Sequence, residues 1–99
     1  MNVRLIKPWT PLTPAGLARV RAHMGVYEIA DASGQVVFIG SAGGKSLFGL
    51  RGELEREMAA RGPDHQFRCE VNTQYTTRRK ELLMVHRADH GGPPRDNRK

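Results

Sequence analysis

Disulfides are excluded first: the sequence holds a single cysteine, Cys69, where small secreted domains carry an even set. A reducing compartment, the cytoplasm, is expected. Missing too is any apolar run long enough to span a bilayer. Arg4, Lys7 and Pro8 break up Met1 to Trp9, where a signal peptide would need an unbroken apolar core. Neither a membrane anchor nor export is expected. The chain has no internal repeat and no low-complexity tract. Acidic residues are few: ten Asp and Glu stand against sixteen Lys and Arg.

That imbalance gives a net charge of +6 and a pI near 10.3. A basic surface attracts phosphate and gains from counterion release, so the charge favours an anionic partner. Most of the cations are arginine, whose planar fork matches phosphate oxygens better than the point charge of lysine does. At 99 residues the chain supports one domain with one modest core, since dividing it would leave neither half enough buried surface. Its 38% apolar and 26% charged content is that of a globular protein rather than a disordered or fibrous one.

Thr13 before Pro14 reads as a helix cap, with Leu17, Val20 and Met24 following at helical spacing and Gly25 ending the helix. The stretches Gly25 to Ala30 and Gln35 to Ile39 suit strands, and the turn residues Asp31 to Gly34 join them into a hairpin. After a glycine-rich loop, Gly40 to Gly44, Ser46 can cap a helix with Leu47, Leu50, Leu54 and Met58 as its apolar stripe and Gly62-Pro63 as its stop. Phe67, Cys69 and Val71 alternate with polar residues, the period of a strand with one buried face, so Cys69 reads as a packed thiol. A last helix capped by Thr76 or Thr77 reaches about His90, with Leu82, Leu83, Val85 and His86 on its buried side. The tail GGPPRDNRK cannot continue it and frays unless something holds it. The expected fold is α+β, a three-stranded antiparallel sheet flanked by helices. It occupies one domain over residues 1–99, with a motif-bearing core at 25–97 and an N-terminal helical extension at 1–24.

Within that core, five features occur in order: GVY at Gly25, Val26 and Tyr27; FIG at Phe38, Ile39 and Gly40, followed by Ser41; Arg51 on the next helix; Glu81 on the last helix; and PRDN ending at Asn97. This order resembles the GIY-YIG nuclease family, whose two tripeptides lie on adjacent antiparallel strands. The resemblance covers Gly25 to Asn97. It implies a metal-dependent phosphodiesterase in which Tyr27 activates or holds the attacking water, Arg51 steadies the scissile phosphate and Asn97 braces the site. In that scheme Glu81 is the one protein carboxylate on a divalent ion. A lone carboxylate suits Mg²⁺ or Mn²⁺ that takes the rest of its shell from water and phosphate. Tyr27 and Ile29 share one face of their strand, and Val36 and Phe38 one face of theirs, so a single pleated surface can present both tripeptides.

Other residues have an electrostatic reading. Arg78, Arg79 and Lys80 put three cations in the first turn of the last helix, where the macrodipole favours anions. A phosphate backbone passing that end would justify the cost. Phe38 stands where the family usually has a second tyrosine, so one hydroxyl is lost, and Ser41 stands where some members carry lysine. Lys45, from the long loop before Arg51, is a candidate replacement cation. The loop is one residue short of a Walker A motif and lacks its βαβ context. His86 and His90 are one helical turn apart, yet no further ligands with zinc-site spacing accompany them, and His23 has no evident role.

The sequence therefore predicts a Mg²⁺- or Mn²⁺-dependent DNA endonuclease, with Lys45, Arg51, Arg78, Arg79 and Lys80 on the nucleic acid. The substrate could be branched or single-stranded DNA, and so small a chain would rely on phosphate contacts, a recruiting protein or a second copy of itself. Two other classes compete: a DNA-binding module of the same fold that lost turnover with the Phe38 change, and a partner-binding scaffold whose charge is incidental.

Overall fold

The computed structural model describes residues 3–98, leaving Met1, Asn2 and Lys99 of the expected single domain outside the described residues. In order, the elements are β1 (Thr10–Pro11), α1 (Pro14–Leu17), β2 (Gly25–Ala30), β3 (Val36–Ala42), α2 (Gly49–Arg61), β4 (Gln66–Val71) and α3 (Tyr75–His90). A 3-10 turn at Arg95–Arg98 follows. The fold is α+β, with one antiparallel sheet in the order β1-β4-β2-β3.

The hairpin forms as its composition dictates. Valine, isoleucine and aromatics fill β2 and β3, and the Asp31 carboxylate locks the turn by accepting hydrogen bonds from the Ser33 and Gln35 amides at 3.0 and 3.1 Å. Gly34 takes φ +90°, which a side chain would resist.

β2, paired along its whole length by β3 and β4, is buried at all six positions. Its side chains alternate between two cores. Tyr27 and Ile29 join Leu12, Leu17, Val37, Leu50, Leu54 and Phe67, the core beneath α1 and α2. Val26 joins Leu5, Ile39 and Leu82, the core beneath α3. The two long helices thus cover opposite faces of the sheet. On the α3 face the Glu28 carboxylate accepts from Arg68 across the strands at 2.8 Å, and Arg68 stacks on Trp9 at 4.1 Å. Burial pushes the Glu28 carboxyl above its ordinary range, and Arg68 opposes that shift.

Several expectations need correcting. The N-terminal helix is one turn, capped by Thr13 Oγ1 on the Gly16 amide, because the carbonyls beyond it find other donors: Ala18 and Val20 accept from Arg51, and His23 from the Leu50 amide. A fourth strand, β1, was not anticipated; it is only Thr10–Pro11. β3 continues through Gly40 and Ser41 to Ala42, so the glycine loop starts later than expected. A bulge at Ile29/Ala30 puts Val37 and Phe38 against the α2-side core while Val36 packs on the α3 side, so Val36 and Phe38 do not share a face. α2 begins at Gly49, not after Ser46, whose hydroxyl accepts from the Gly43 amide; Leu47 is left exposed. Val71 is exposed as well.

Leu54 has no solvent exposure at the centre of the α2-side core. Leu54→Ala is expected to cost about 2–5 kcal/mol in urea unfolding, with the far-ultraviolet spectrum of the folded state unchanged.

Candidate functional site

The two tripeptides face each other across the hairpin, Tyr27 opposite Gly40 and Ile29 opposite Phe38. Both motif glycines are enforced by close approach. A Cβ at Gly25 would lie 2.1 Å from the Glu70 carbonyl oxygen, and one at Gly40 would lie 2.6 Å from the Tyr27 ring and hydroxyl. The tail returns to this hairpin. The Asn97 amide donates to the Ile39 carbonyl at 2.9 Å, and its oxygen accepts from the Ile39 amide at 2.8 Å, so one side chain pairs the outer edge of β3 like a short extra strand. This clamp, with an ion pair from Asp96 to Arg61, explains why the tail does not fray.

Tyr27 is 3% exposed and its ring lies 6.0 Å from that of Phe38. Its hydroxyl donates to the Glu57 carboxylate of α2 at 3.1 Å. Glu57 also accepts from Arg61 at 2.7 Å, and Arg61 extends over the Phe38 ring at 5.4 Å while pairing with Asp96. Burial first, and then the Glu57 charge, hold the phenol well above its ordinary range. Asp96 is held below its usual range by its hydrogen bond from Arg61. The space around the Tyr27 hydroxyl is therefore filled by an internal polar network: Tyr27, Glu57, Arg61, Asp96.

The remaining expected catalytic groups lie elsewhere. Arg51 donates to the Ala18 and Val20 carbonyls at 3.4 and 3.3 Å and lies 3.6 Å from Glu55, so its guanidinium ties down the chain after α1 instead of reaching over the sheet. Glu81 belongs to α3 on the opposite face from Tyr27 and accepts from Arg78. Arg78 is nearly buried and is held also by both oxygens of Glu70 and by the Val3 carbonyl. Arg51 borders a groove formed with residues 18–23, and neither Tyr27 nor Glu81 lines it.

Glu81 is the residue expected to hold the divalent ion, and its surroundings do not fit one. The Arg78 guanidinium already neutralises it, and two unit charges of like sign 4 Å apart near a protein surface repel by roughly 4 kcal/mol, more for a divalent ion. Among the described residues no group of three or more His, Cys, Asp or Glu could hold a metal ion, so an ion at Glu81 would take most of its shell from water and phosphate. His86 and His90 do stack, at 4.3 Å between ring centroids, but His86 Nδ1 is engaged by the Gly92 carbonyl.

Of the expected nucleic-acid contacts, Arg78 is committed to its ion pairs, whereas Lys45, Arg79 and Lys80 have no side-chain partner among the described residues. The loop bearing Lys45 is brought to the start of α3: the Gly44 amide donates to the Tyr75 hydroxyl at 3.3 Å, and Gly43 lies flat against the Tyr75 ring. Arg79 follows Tyr75 one turn along α3, and Arg87 lies eight residues beyond Arg79. Arg79, Lys80 and Arg87 border a groove of about 420 Å³ that Leu83, Met84, Pro93 and Asn97 complete. No carboxylate lines it.

Residues 1–89 match the model of a family described as Domain of unknown function (DUF7508). The chain belongs to that family. Neither the curated proteins nor the solved structures contain a significant match. The matched span of this DUF7508 domain includes the N-terminal segment that the GIY-YIG resemblance leaves out. Sequence reading missed the Glu57–Arg61–Asp96 network and Arg87. The spacing of Glu57 and Arg61 at i,i+4 was a usable signal, but Asp96 joins them only through the tail's return.

Asn97→Ala leaves both Ile39 backbone groups unpaired in a part-buried place, and a loss of about 1–3 kcal/mol in unfolding free energy is expected. Asn97→Asp should not restore it, since a carboxylate cannot donate to the Ile39 carbonyl. For Tyr27, whose folded pKa is raised, folded and unfolded chains hold the proton alike below about pH 10. Above that the unfolded chain releases it first, so stability falls as pH rises. Urea midpoints at pH 9 and pH 11 should therefore drop more for the native chain than for Tyr27→Phe.

Proposed function

We propose that this DUF7508 domain binds DNA through the cationic side of α3, on a frame resembling that of the GIY-YIG nucleases, without assembling the family's hydrolytic centre. The observation that carries the reading is that Arg79, Lys80 and Arg87, without side-chain partners among the described residues, line a groove with no carboxylate in its lining, while the Lys45 loop packs on Tyr75 at the start of the same helix. Arg61 and Arg68, both part-buried, and buried Arg78 pair with internal carboxylates, so the excess of +6 is displayed at such surfaces. Contacts of this type read the phosphate backbone and carry little sequence preference. The likeness of the frame rests on the facing tripeptides and on the Asn97 clamp. Binding without turnover is supported by the Tyr27 hydroxyl being engaged by Glu57, by Arg78 holding Glu81, and by the missing hydroxyl at Phe38.

One set of observations favours the metal-dependent endonuclease instead: the complete order of motif residues and the position of Asn97 on the FIG strand. That reading, with Mg²⁺ or Mn²⁺ at Glu81 and phosphate at Arg51, requires Arg78 to release Glu81 and Arg51 to leave the Ala18 and Val20 carbonyls. A cytoplasmic location agrees with the single thiol, and no helix among the described residues is long and apolar enough to cross a membrane. A recruiting protein or a second copy would supply the specificity that backbone contacts lack.

Fluorescence anisotropy on duplex DNA over a salt series decides between the readings. Phosphate contacts from these cations predict log Kobs falling with log salt at a slope of roughly −3 to −4. Arg79→Glu with Lys80→Glu should weaken duplex binding by roughly tenfold or more and flatten the slope. Supercoiled plasmid should stay intact with Mg²⁺ or Mn²⁺. Nicking that needs metal, and is lost in folded Glu81→Ala and Arg51→Ala, would establish the nuclease reading, and salt-independent binding would point to a scaffold.

A further inference from the structure

A second basic surface lies at the other end of the sheet. β1 covers the outer edge of β4 only at Gln66 and Phe67, so Cys69 and Val71 stand beyond its cover. There a groove of about 640 Å³ opens, its floor made by Val20, Leu50, Phe67, Cys69 and Val71. Lys7, Arg19, Arg21 and His23 form its rim. Arg19 and Arg21 are exposed and without a side-chain partner among the described residues, and no carboxylate lines the groove. Lys7 is close enough to Cys69 and Glu70 to oppose the burial that pushes the Cys69 thiol up and to help lower the Glu70 carboxyl.

Next to lining residues His23, Leu50 and Val71, the surface carries exposed apolar side chains. Met24, Phe48 and Val71 are 38%, 58% and 59% exposed. Backbone bonds gather them: the Asn72 amide donates to the Met24 carbonyl, and the Leu50 amide, two residues after Phe48, donates to His23. A cationic rim over an apolar floor matches a ligand that offers phosphates and bare bases together. Duplex DNA hides its base faces and would leave the floor uncovered. A single strand presents both.

We infer that the Lys7–Arg19–Arg21–His23 groove is a single-strand nucleic-acid site, separate from the α3 surface and built largely by the N-terminal segment. The phosphates run along the rim, and the bases lie against the apolar floor. The inference rests on the nucleic-acid reading above and adds to it a strand preference and a second address. Together the two faces would let one domain hold a duplex and an adjoining single strand.

The test uses two charge-matched variants of the full chain, Arg19→Glu/Arg21→Glu and Arg79→Glu/Lys80→Glu, titrated by anisotropy against a labelled dodecathymidylate and a labelled duplex. Arg19 and Arg21 hold no structural bond, so the fold should survive, as far-ultraviolet circular dichroism will show. Arg19→Glu/Arg21→Glu should lose roughly tenfold or more on the single strand and much less on the duplex, with the opposite pattern for the α3 pair. Equal losses on the single strand from both pairs, or none from Arg19→Glu/Arg21→Glu, would overturn the inference while leaving DNA binding by α3 standing. No binding of either probe by the native chain at low salt would overturn both.

Discussion

β2 has no solvent face. Each of its six residues is buried, so its pleat must deliver side chains alternately into two separate cores, one closed by α2 and the other by α3. Everything placed on the sheet inherits that division. Tyr27 goes to the α2 side, where Leu50 and Leu54 surround it and Glu57 is the partner its hydroxyl can reach. Val26 and Glu28 go to the α3 side, where Leu82 and Arg68 meet them. Glu81, carried by α3, is held on its own side by the chain of pairs that links Glu70, Arg78 and Val3.

The second organising fact is how charge is spent. Three arginines are consumed inside: Arg61 by Glu57 and Asp96, Arg68 by Glu28, and Arg78 by Glu70 and Glu81. Such pairs stitch distant parts of the chain together, the tail to α2 and α3 to β4, and an unpaired member would be costly to bury. Other arginines pair nearer the surface, Arg4 with Asp89, Arg51 with Glu55 and Arg56 with Glu53, and cations without a side-chain partner among the described residues lie along α3 and around the N-terminal groove. Basic composition thereby becomes surface chemistry. The residues expected to cut DNA are likewise engaged by other protein groups, Tyr27 by Glu57, Arg51 by the Ala18 and Val20 carbonyls and Glu81 by Arg78.

Much of the fold was legible. The hairpin, the stop of α2 at Gly62, the alternation at Phe67 and the end of α3 at His90 follow from local pattern, and the α+β class with them, whereas α3 starts at Tyr75, so that Thr76 and Thr77 lie inside it instead of capping it. What local pattern could not reveal depended on partners far along the chain. Arg51 looked free because nothing in its neighbourhood announces the Ala18 and Val20 carbonyls. The bulge that turns Val36 from the face of Phe38 is a pairing property of two strands. Asn97 was identified as a brace from its place in the motif, and the structure puts it on Ile39. Arg78 was grouped with Arg79 and Lys80 by adjacency, yet a helix turns about 100° per residue, which sends Arg78 into the sheet and its neighbours into solvent.

The division of the sheet is open to direct observation in solution. In a ¹³C-edited NOESY spectrum, the ring protons of Tyr27 should show cross-peaks to Leu54 and to the Glu57 methylenes of α2. Cross-peaks from that ring to Glu81 or Leu82 of α3 would contradict the account, because the phenol and the carboxylate would then share one face and a hydrolytic centre could form between them.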